Sequence, residues 1–191
     1  LAAGLTSEKY LIDGRLSGSG GGNHVTLGGP STEESVFLTR PDVFASLLTF
    51  VQHHPSLSYA FSGLFVGPTS QAPRVDEGRM DVLPELQIAL REAFDVSLGE
   101  EPIEPWLVDR LFRDLLVDLT GNTLRAELCI DKLYDFRTAY GRQGVVELRA
   151  FEMPPHPHMT VVQGVLIRAL VASFCAAPYD HALVNFAARL H

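Results

Sequence analysis

Two pairs of charged residues, each an arginine and a glutamate two positions apart, could support chemistry if the chain brings them together. The four residues are Arg125 and Glu127, followed by Glu147 and Arg149. Carboxylates bind hard cations such as magnesium, and guanidinium groups bind carboxylates and phosphates. Two such pairs side by side would form a surface suited to a metal ion and to anionic substrates. Ion pairs on an exposed sheet face are the alternative, which the sequence leaves open.

Both charged pairs lie in segments, residues 121–132 and 144–158, whose hydrophobicity alternates with period two. The apolar positions are Leu124, Ala126, Leu128 and Ile130 in the first segment and Val146, Leu148 and Ala150 in the second. Alternation over this length predicts two half-buried strands, with the charged side chains on the opposite face. The polar stretch 133–144 predicts a hairpin loop or a longer connection.

A glycine-rich stretch near the start of the chain precedes a histidine. Four of the five residues 18–22 are glycine, which allows the backbone to approach a ligand closely. A flexible linker or a turn is the alternative. Residues 23–27 predict a short strand with His24 and Thr26 on one face. A single strand histidine is more often structural than a ligand, and the neighbouring glycines reduce this difference without reversing it.

The order of the remaining elements predicts an α+β fold in which helices pack on one face of a mostly antiparallel sheet. Further strands or helices are predicted over residues 8–16 (strand), 41–53 (helix), 57–66 (strand or buried helical turn), 81–94, 105–119 and 179–190 (helices). The buried stripe predicted for the helix 105–119 is Leu107, Leu111 and Leu115. The last helix should bury Leu183 and Phe186.

The longest apolar run, residues 161–177, is interrupted by Gln163 and Arg168 and is interpreted as a core helix rather than a membrane span. Thr160 followed by Gln163 is a capping-box signature that predicts where this helix begins. The side chains predicted to be buried are Val162, Leu166, Ala169, Leu170 and Phe174.

Composition limits the classes of function. The 191 residues are 46% hydrophobic and 20% charged, as expected for one globular domain. The net charge of −8 argues against nucleic acid or an anionic membrane as a partner. The two cysteines, Cys129 and Cys175, form neither a disulfide framework nor a zinc motif, so we expect reduced thiols and a cytoplasmic location. Because the chain starts at Leu1 without a signal peptide, we expect a piece of a longer protein.

Four sequence blocks resemble, in the same order, the glutamine synthetase and glutamate–cysteine ligase superfamily. Residues 20–26 resemble its glycine-rich, histidine-bearing strand, and residues 67–74 its substrate and nucleotide loop. Residues 122–125 are similar to its Asn-Arg…Arg strand, and residues 147–149 to its Glu-x-Arg strand. Over most of its length the chain more closely resembles the amidoligase domain at the end of bacterial transglutaminase-like proteins.

This resemblance implies ATP- and magnesium-dependent joining of a carboxylate to an amine through an acyl phosphate. It implies that residues 1–191 are a single, glutamine synthetase-like half-domain, the C-terminal part of a larger catalytic domain that is inactive as a fragment. It assigns catalytic roles to Arg125, Arg149 and His24, cofactor binding to Gly21, Gly22, Asn23, Arg74 and Asn122, and metal binding to Glu147 and Glu127. The sequence departs from the superfamily at Asn122-Thr123, where the second residue is Arg in glutamine synthetase, and no Glu-x-Glu precedes Gly20.

Two other functions stay open at this point. One is a non-catalytic module that binds a peptide or carboxylate for a transglutaminase-like neighbour. The other is a thiol enzyme that uses Cys129 with His24, although no activating motif surrounds this cysteine. A half-sheet would also expose an edge through which two copies could pair as a homo-oligomer.

Overall fold

Seven α-helices and two small antiparallel sheets make up the part of the computed structural model that is described, residues 8–10, 16–18, 23–62, 72–78, 80–118, 120–154 and 156–190. The helices are α1 (Val36–Thr39), α2 (Pro41–His53), α3 (Pro55–Phe61), α4 (Val75–Gly78), α5 (Leu83–Leu98), α6 (Leu107–Phe112) and α7 (Pro157–Ala176). The strands are β1 (Glu8–Tyr10), β2 (Leu16–Gly18), β3 (Val25–Leu27), β4 (Leu128–Cys129) and β5 (Val146–Leu148). This composition confirms the α+β class.

Helix α2 is the centre of the helical layer, where it packs against α1, α3, α5 and α7. It begins at Pro41, where the missing N–H costs no helical hydrogen bond, and it ends at His53 as predicted. Its predicted apolar stripe is fully inside the core: Phe44, Leu47, Leu48 and Val51. The predicted helix over 81–94 is also confirmed, as a 3₁₀ turn (Met80–Val82) followed by α5.

A three-stranded sheet carries Glu147 on one face and closes the core with the other. Its order is β3–β5–β4, with both pairings antiparallel. Glu147 on the central strand lies opposite Thr26 on one side and opposite Cys129 on the other. The apolar side chains of Leu128, Val146 and Leu148 are buried and join the helical core, which confirms the predicted orientation of this face.

The strands are shorter than the alternation predicted. Residues 121–132 form a 3₁₀ turn (Thr123–Arg125) and then only the two-residue strand β4. The single strand predicted over 8–16 was wrong, since β1 and β2 pair with each other and Glu8 lies opposite Gly18. Period-two patterning indicates which side chains share a face, but hydrogen bonding to a neighbouring strand decides where a strand ends.

Two predicted helices differ from the structure. Helix α6 ends at Phe112 and buries Val108 and Phe112, with Leu116 in the following turn, in place of the predicted leucine stripe. A shift of one residue turns a helix by about 100° and so exchanges the buried stripe. The predicted helix over 179–190 was wrong, because only a 3₁₀ turn (Ala187–Leu190) forms there.

The stretch before this last turn is held by side-chain amides. Gln52 donates to the carbonyl of Val184 (2.6 Å) and accepts from its N–H (3.1 Å), while Gln87 accepts from the N–H of Leu183 (2.6 Å). These amides take the place of a helix's own hydrogen bonds, so the backbone stays satisfied without helical structure.

Helix α7 begins earlier than predicted and is more exposed. His156 caps it by accepting from the N–H of His158 (3.2 Å), so the capping box at Thr160 was wrong. Ile167 and Phe174 are buried, but Val162 is 57% exposed, which contradicts its predicted burial and the interpretation of α7 as a core helix. By length and composition, α7 is also the one helix among the described residues that could cross a membrane.

Candidate functional site

One carboxylate is surrounded by a lysine, an arginine and a histidine on the charged face of the sheet. Oε1 of Glu147 lies 3.4 Å from Nδ1 of His24 and 3.6 Å from Nζ of Lys132. Oε2 of Glu147 lies 3.5 Å from a terminal nitrogen of Arg149. We call these four residues the Glu147 cluster. It brings together three of the residues assigned from the resemblance, with Lys132 as a fourth member.

Strand register explains this convergence. Glu147 and Arg149 follow each other on the charged side of β5. His24, just before β3, reaches Glu147 diagonally from the neighbouring strand, since Thr26 is the residue directly opposite Glu147. Lys132 comes from the other side, three residues after Cys129 on β4. The central strand therefore receives cations from both of its neighbours.

The cluster is only partly open to solvent. The Glu147 and Arg149 side chains are 10% and 14% exposed, while those of His24 and Lys132 are 22% and 47% exposed. Among the described residues, Nε2 of His24 and Nε of Arg149 are buried without a hydrogen-bond partner. Lys132 and Arg149 already outnumber the single carboxylate, and protonated His24 would add a third positive charge. The cluster therefore suits an incoming oxyanion, which could accept hydrogen bonds from these groups.

Arg125 and Asn122 belong to a different group of contacts, organised by the buried carboxylate of Asp118. Arg125 lies 3.3 Å from this carboxylate, which also accepts from the N–H groups of Thr120 (2.8 Å) and Asn122 (3.0 Å). Burial would raise the pKa of Asp118, but the hydrogen bonds from Thr120 and Asn122 and the charge of Arg125 hold it below its ordinary value. The structure therefore places Arg125 beside Asp118 rather than in the Glu147 cluster.

Sequence reasoning did not identify Asp118. The signal that could have found it is the turn-forming run Asp118-Leu119-Thr120-Gly121-Asn122. Gly121 in this run has a φ of +79°, a conformation that favours glycine.

Arg74 is enclosed by protein groups. Its side chain is 2% exposed, and all five of its N–H groups are used. Two of them donate to the carboxylate of Asp76, and the others donate to the carbonyls of Val51 and Gln52 and to the hydroxyl of Ser58. In this conformation Arg74 has no donor left for a substrate or nucleotide and serves to join the loop 72–78 to α2 and α3.

Glu127 lies near this arginine and is separate from the Glu147 cluster. Burial raises its pKa to about 7, although the charge of Arg74 and a hydrogen bond with Ser58 oppose the shift. The carboxylates of Asp76 and Glu77 nearby favour the protonated form further. The two glutamates assigned to metal binding thus sit in two different electrostatic environments.

The described residues fit an anion better than a metal ion. They contain no group of three or more His, Cys, Asp or Glu side chains that could hold a metal. The cations beside Glu147 repel a free metal ion, as Arg74 does near Glu127. No catalytic step is therefore assigned to magnesium at these residues.

The other assigned residues near β3 take structural positions or lie outside the described part. Asn23 donates its N–H to the carbonyl of Phe151 (2.8 Å) and so ties β3 to the end of β5. Gly21 and Gly22 lie outside the described residues.

Burial raises the pKa of the Cys129 thiol to about 11, which opposes its use as a thiolate nucleophile.

Comparison with known proteins adds one match. The model of a family described as "putative amidoligase enzyme" matches residues 1–191, the whole chain. No curated protein and no solved structure matches it.

Proposed function

We propose that this chain, which belongs to the amidoligase family, joins a carboxylate to an amine at the expense of ATP. The observation that carries the proposal is the convergence of His24, Lys132 and Arg149 on Glu147. A ligase of this kind must hold a substrate carboxylate and the ATP phosphates, which repel each other, within bonding distance. A partly enclosed group of cations meets this demand.

The proposed reaction has two steps. A carboxylate oxygen of the substrate attacks the γ-phosphorus of ATP, the bond from that phosphorus to the β–γ bridging oxygen breaks, and ADP leaves. The amine nitrogen then attacks the acyl carbon, the bond from that carbon to the phosphate oxygen breaks, and the nitrogen releases a proton to solvent. The products are the amide, ADP, inorganic phosphate and a proton.

The chain's own groups would act by binding and orientation. Arg149 and His24 would donate hydrogen bonds to the transferring phosphoryl group and to the substrate carboxylate, whose negative charge they offset. Glu147 would hold these cations in place before the anions arrive. The role of Arg125 on the phosphoryl group stays a prediction, and it requires that Arg125 leave Asp118.

Magnesium enters this proposal with the nucleotide. Proteins often bind magnesium through one or two carboxylates together with substrate phosphates, and Glu147 offers one carboxylate. The ion would offset phosphate charge when bound, and the described residues alone do not complete a site for it.

An isotope experiment tests the reaction directly. The protein with its complete native sequence is incubated with ATP, magnesium, an amine library and carboxylic acids labelled with ¹⁸O, and amides and phosphate are analysed by mass spectrometry. The proposal expects ADP release that requires the carboxylate, and one ¹⁸O atom in each phosphate formed. Arg149→Gln should abolish the reaction, whereas Arg91→Gln, a matched charge removal on the exposed surface of α5, should not. Phosphate without the label would refute the acyl-phosphate route.

A non-catalytic module that binds a carboxylate or a peptide is the second candidate. The lack of a metal-holding group among the described residues favours it, and the Glu147 cluster would serve it equally well. Carboxylate binding to the complete protein without formation of ADP or amide under the conditions above would decide for this module.

A further inference from the structure

In the Glu147 cluster, Lys132 combines a hydrogen-bonded backbone with a side chain that is about half exposed to solvent. Its carbonyl accepts hydrogen bonds from the N–H groups of Gln143 (3.0 Å) and Val145 (3.4 Å), which ties the end of the 133–144 connection to the third residue after β4. Its side chain is nevertheless 47% exposed. The anchored backbone holds the amine beside the cluster, while the side chain keeps the freedom to move.

The contact between Lys132 and Glu147 is a weak one. Nζ lies 3.6 Å from Oε1, the longest of the three cation distances, and it shares this oxygen with His24. The neighbouring carboxylate of Asp131 is not a competitor, because Arg113 (3.0 Å) and the hydroxyl of Thr123 (2.8 Å) already bind it. A salt bridge at this distance with a half-exposed lysine contributes little stability, so Lys132 can leave Glu147 at small cost.

We propose that Lys132 is a binding residue for an oxyanion, a carboxylate or a phosphate, and that it turns from Glu147 to this ligand together with Arg149. The inference rests on the proposed function for the source of the oxyanion, which would be the acyl substrate or ATP. The positive charge of the cluster and the unpartnered Nε of Arg149 favour such a ligand. A lysine, as a mobile point charge, suits a ligand that changes from carboxylate to acyl phosphate.

The lysine content of the chain allows a direct test. Lys9 and Lys132 are the only two lysines in the sequence, so acetylation can be followed at each by mass spectrometry of peptides. Wild-type chain is acetylated in a concentration series of inorganic phosphate or of glutarate, with chloride holding the ionic strength constant. When the anion occupies nine-tenths of its sites, the acetylation rate of Lys132 should fall about tenfold, while that of Lys9 should stay within about twofold of its value without the anion.

The two anions identify the source of the ligand. Saturable protection by phosphate indicates a phosphate site, and saturable protection by glutarate indicates a carboxylate site. Either result supports the proposal. Equal protection of both lysines, or protection by neither anion, overturns it.

Substitutions give a second measurement. Affinity is measured here by isothermal titration calorimetry, because the Lys132 variants lack the lysine that reports protection. Lys132→Gln should weaken binding of the protecting anion about tenfold through loss of one charge-assisted contact. Lys132→Arg should restore it to within about threefold, and the control Arg91→Gln should leave it unchanged. Lys132→Gln with unaltered affinity would refute the role.

The outcomes separate this inference from the proposed reaction. Protection of Lys132, in a complete protein that forms no ADP or amide, would keep the binding role and reject the ligase. Amide formation that is equally fast and has the same KM in Lys132→Gln would keep the ligase and reject the binding role.

Discussion

Replacing Glu127 by glutamine should change how the stability of the protein depends on pH. The pKa of this buried carboxyl is raised from an ordinary value of 4.5 to about 7, mainly by burial. Between these two values the folded protein keeps a proton that the unfolded chain has released. The free energy of unfolding therefore falls as the pH rises through this window.

The size of the effect follows from the two pKa values. Their difference corresponds to about 3 kcal/mol of stability that is present below pH 4.5 and lost above pH 7. Glu127→Gln keeps the shape of the neutral acid but cannot ionise. The free energy of unfolding of Glu127→Gln should therefore be similar to that of the wild type at pH 5, and the difference in favour of the variant should grow by about 2–3 kcal/mol by pH 8.

Urea unfolding followed by circular dichroism at pH 5, 6, 7 and 8 measures this difference. Other groups titrate in both proteins and cancel in the comparison. Glu85→Gln, which removes an exposed carboxylate from α5, is the matched control and should show a much smaller trend. If the difference in free energy of unfolding between wild type and variant stays constant to within about 0.5 kcal/mol from pH 5 to pH 8, the assignment of Glu127 as a buried acid is refuted.

Three further predictions test other parts of the structure. Arg74→Lys should lower the free energy of unfolding by about 3 kcal/mol or more, because lysine cannot replace five directed donors in a buried site; a loss below about 1 kcal/mol on urea unfolding would contradict this. Glu147→Gln should lower the free energy of unfolding by about 1–3 kcal/mol, because the neighbouring cations lose their carboxylate. Added phosphate should recover part of this loss in thermal unfolding. A variant with the melting temperature of the wild type would argue against the cluster. Ile167→Ala should cost about 2–4 kcal/mol and Val162→Ala less than about 0.5 kcal/mol; similar losses would show that α7 presents a different face to the core.

Much of the secondary structure could be predicted where the signal is local. The bounds and the buried stripe of α2 follow from Pro41 and the spacing of its apolar residues. The side of β5 that faces the core follows from alternation. The structure of residues 177–186 could not be predicted, because two of their backbone groups bind Gln87 and Gln52, which lie 96 and 132 residues earlier. Their apolar spacing suited a helix equally well.

The candidate site divides in the same way. Residue types and order predicted that His24, Glu147 and Arg149 share one charged surface. In the structure His24 and Arg149 lie within 3.5 Å of the Glu147 carboxylate. Arg125 and Arg74 carry the same charge and were grouped with them. They pair instead with Asp118 and Asp76, because those carboxylates lie nearby in the fold and are well buried.

By itself the sequence determined the family, the α+β class and which side of β5 carries Glu147. These properties depend on the order of residue types along the chain, which periodicity and motifs record directly. Only the tertiary structure decided which carboxylate each arginine pairs with, that Lys132 completes the Glu147 cluster and that Glu127 is a buried acid. Those outcomes depend on the distances and the burial that the fold imposes, because electrostatic attraction selects the partner that is close and shielded from water.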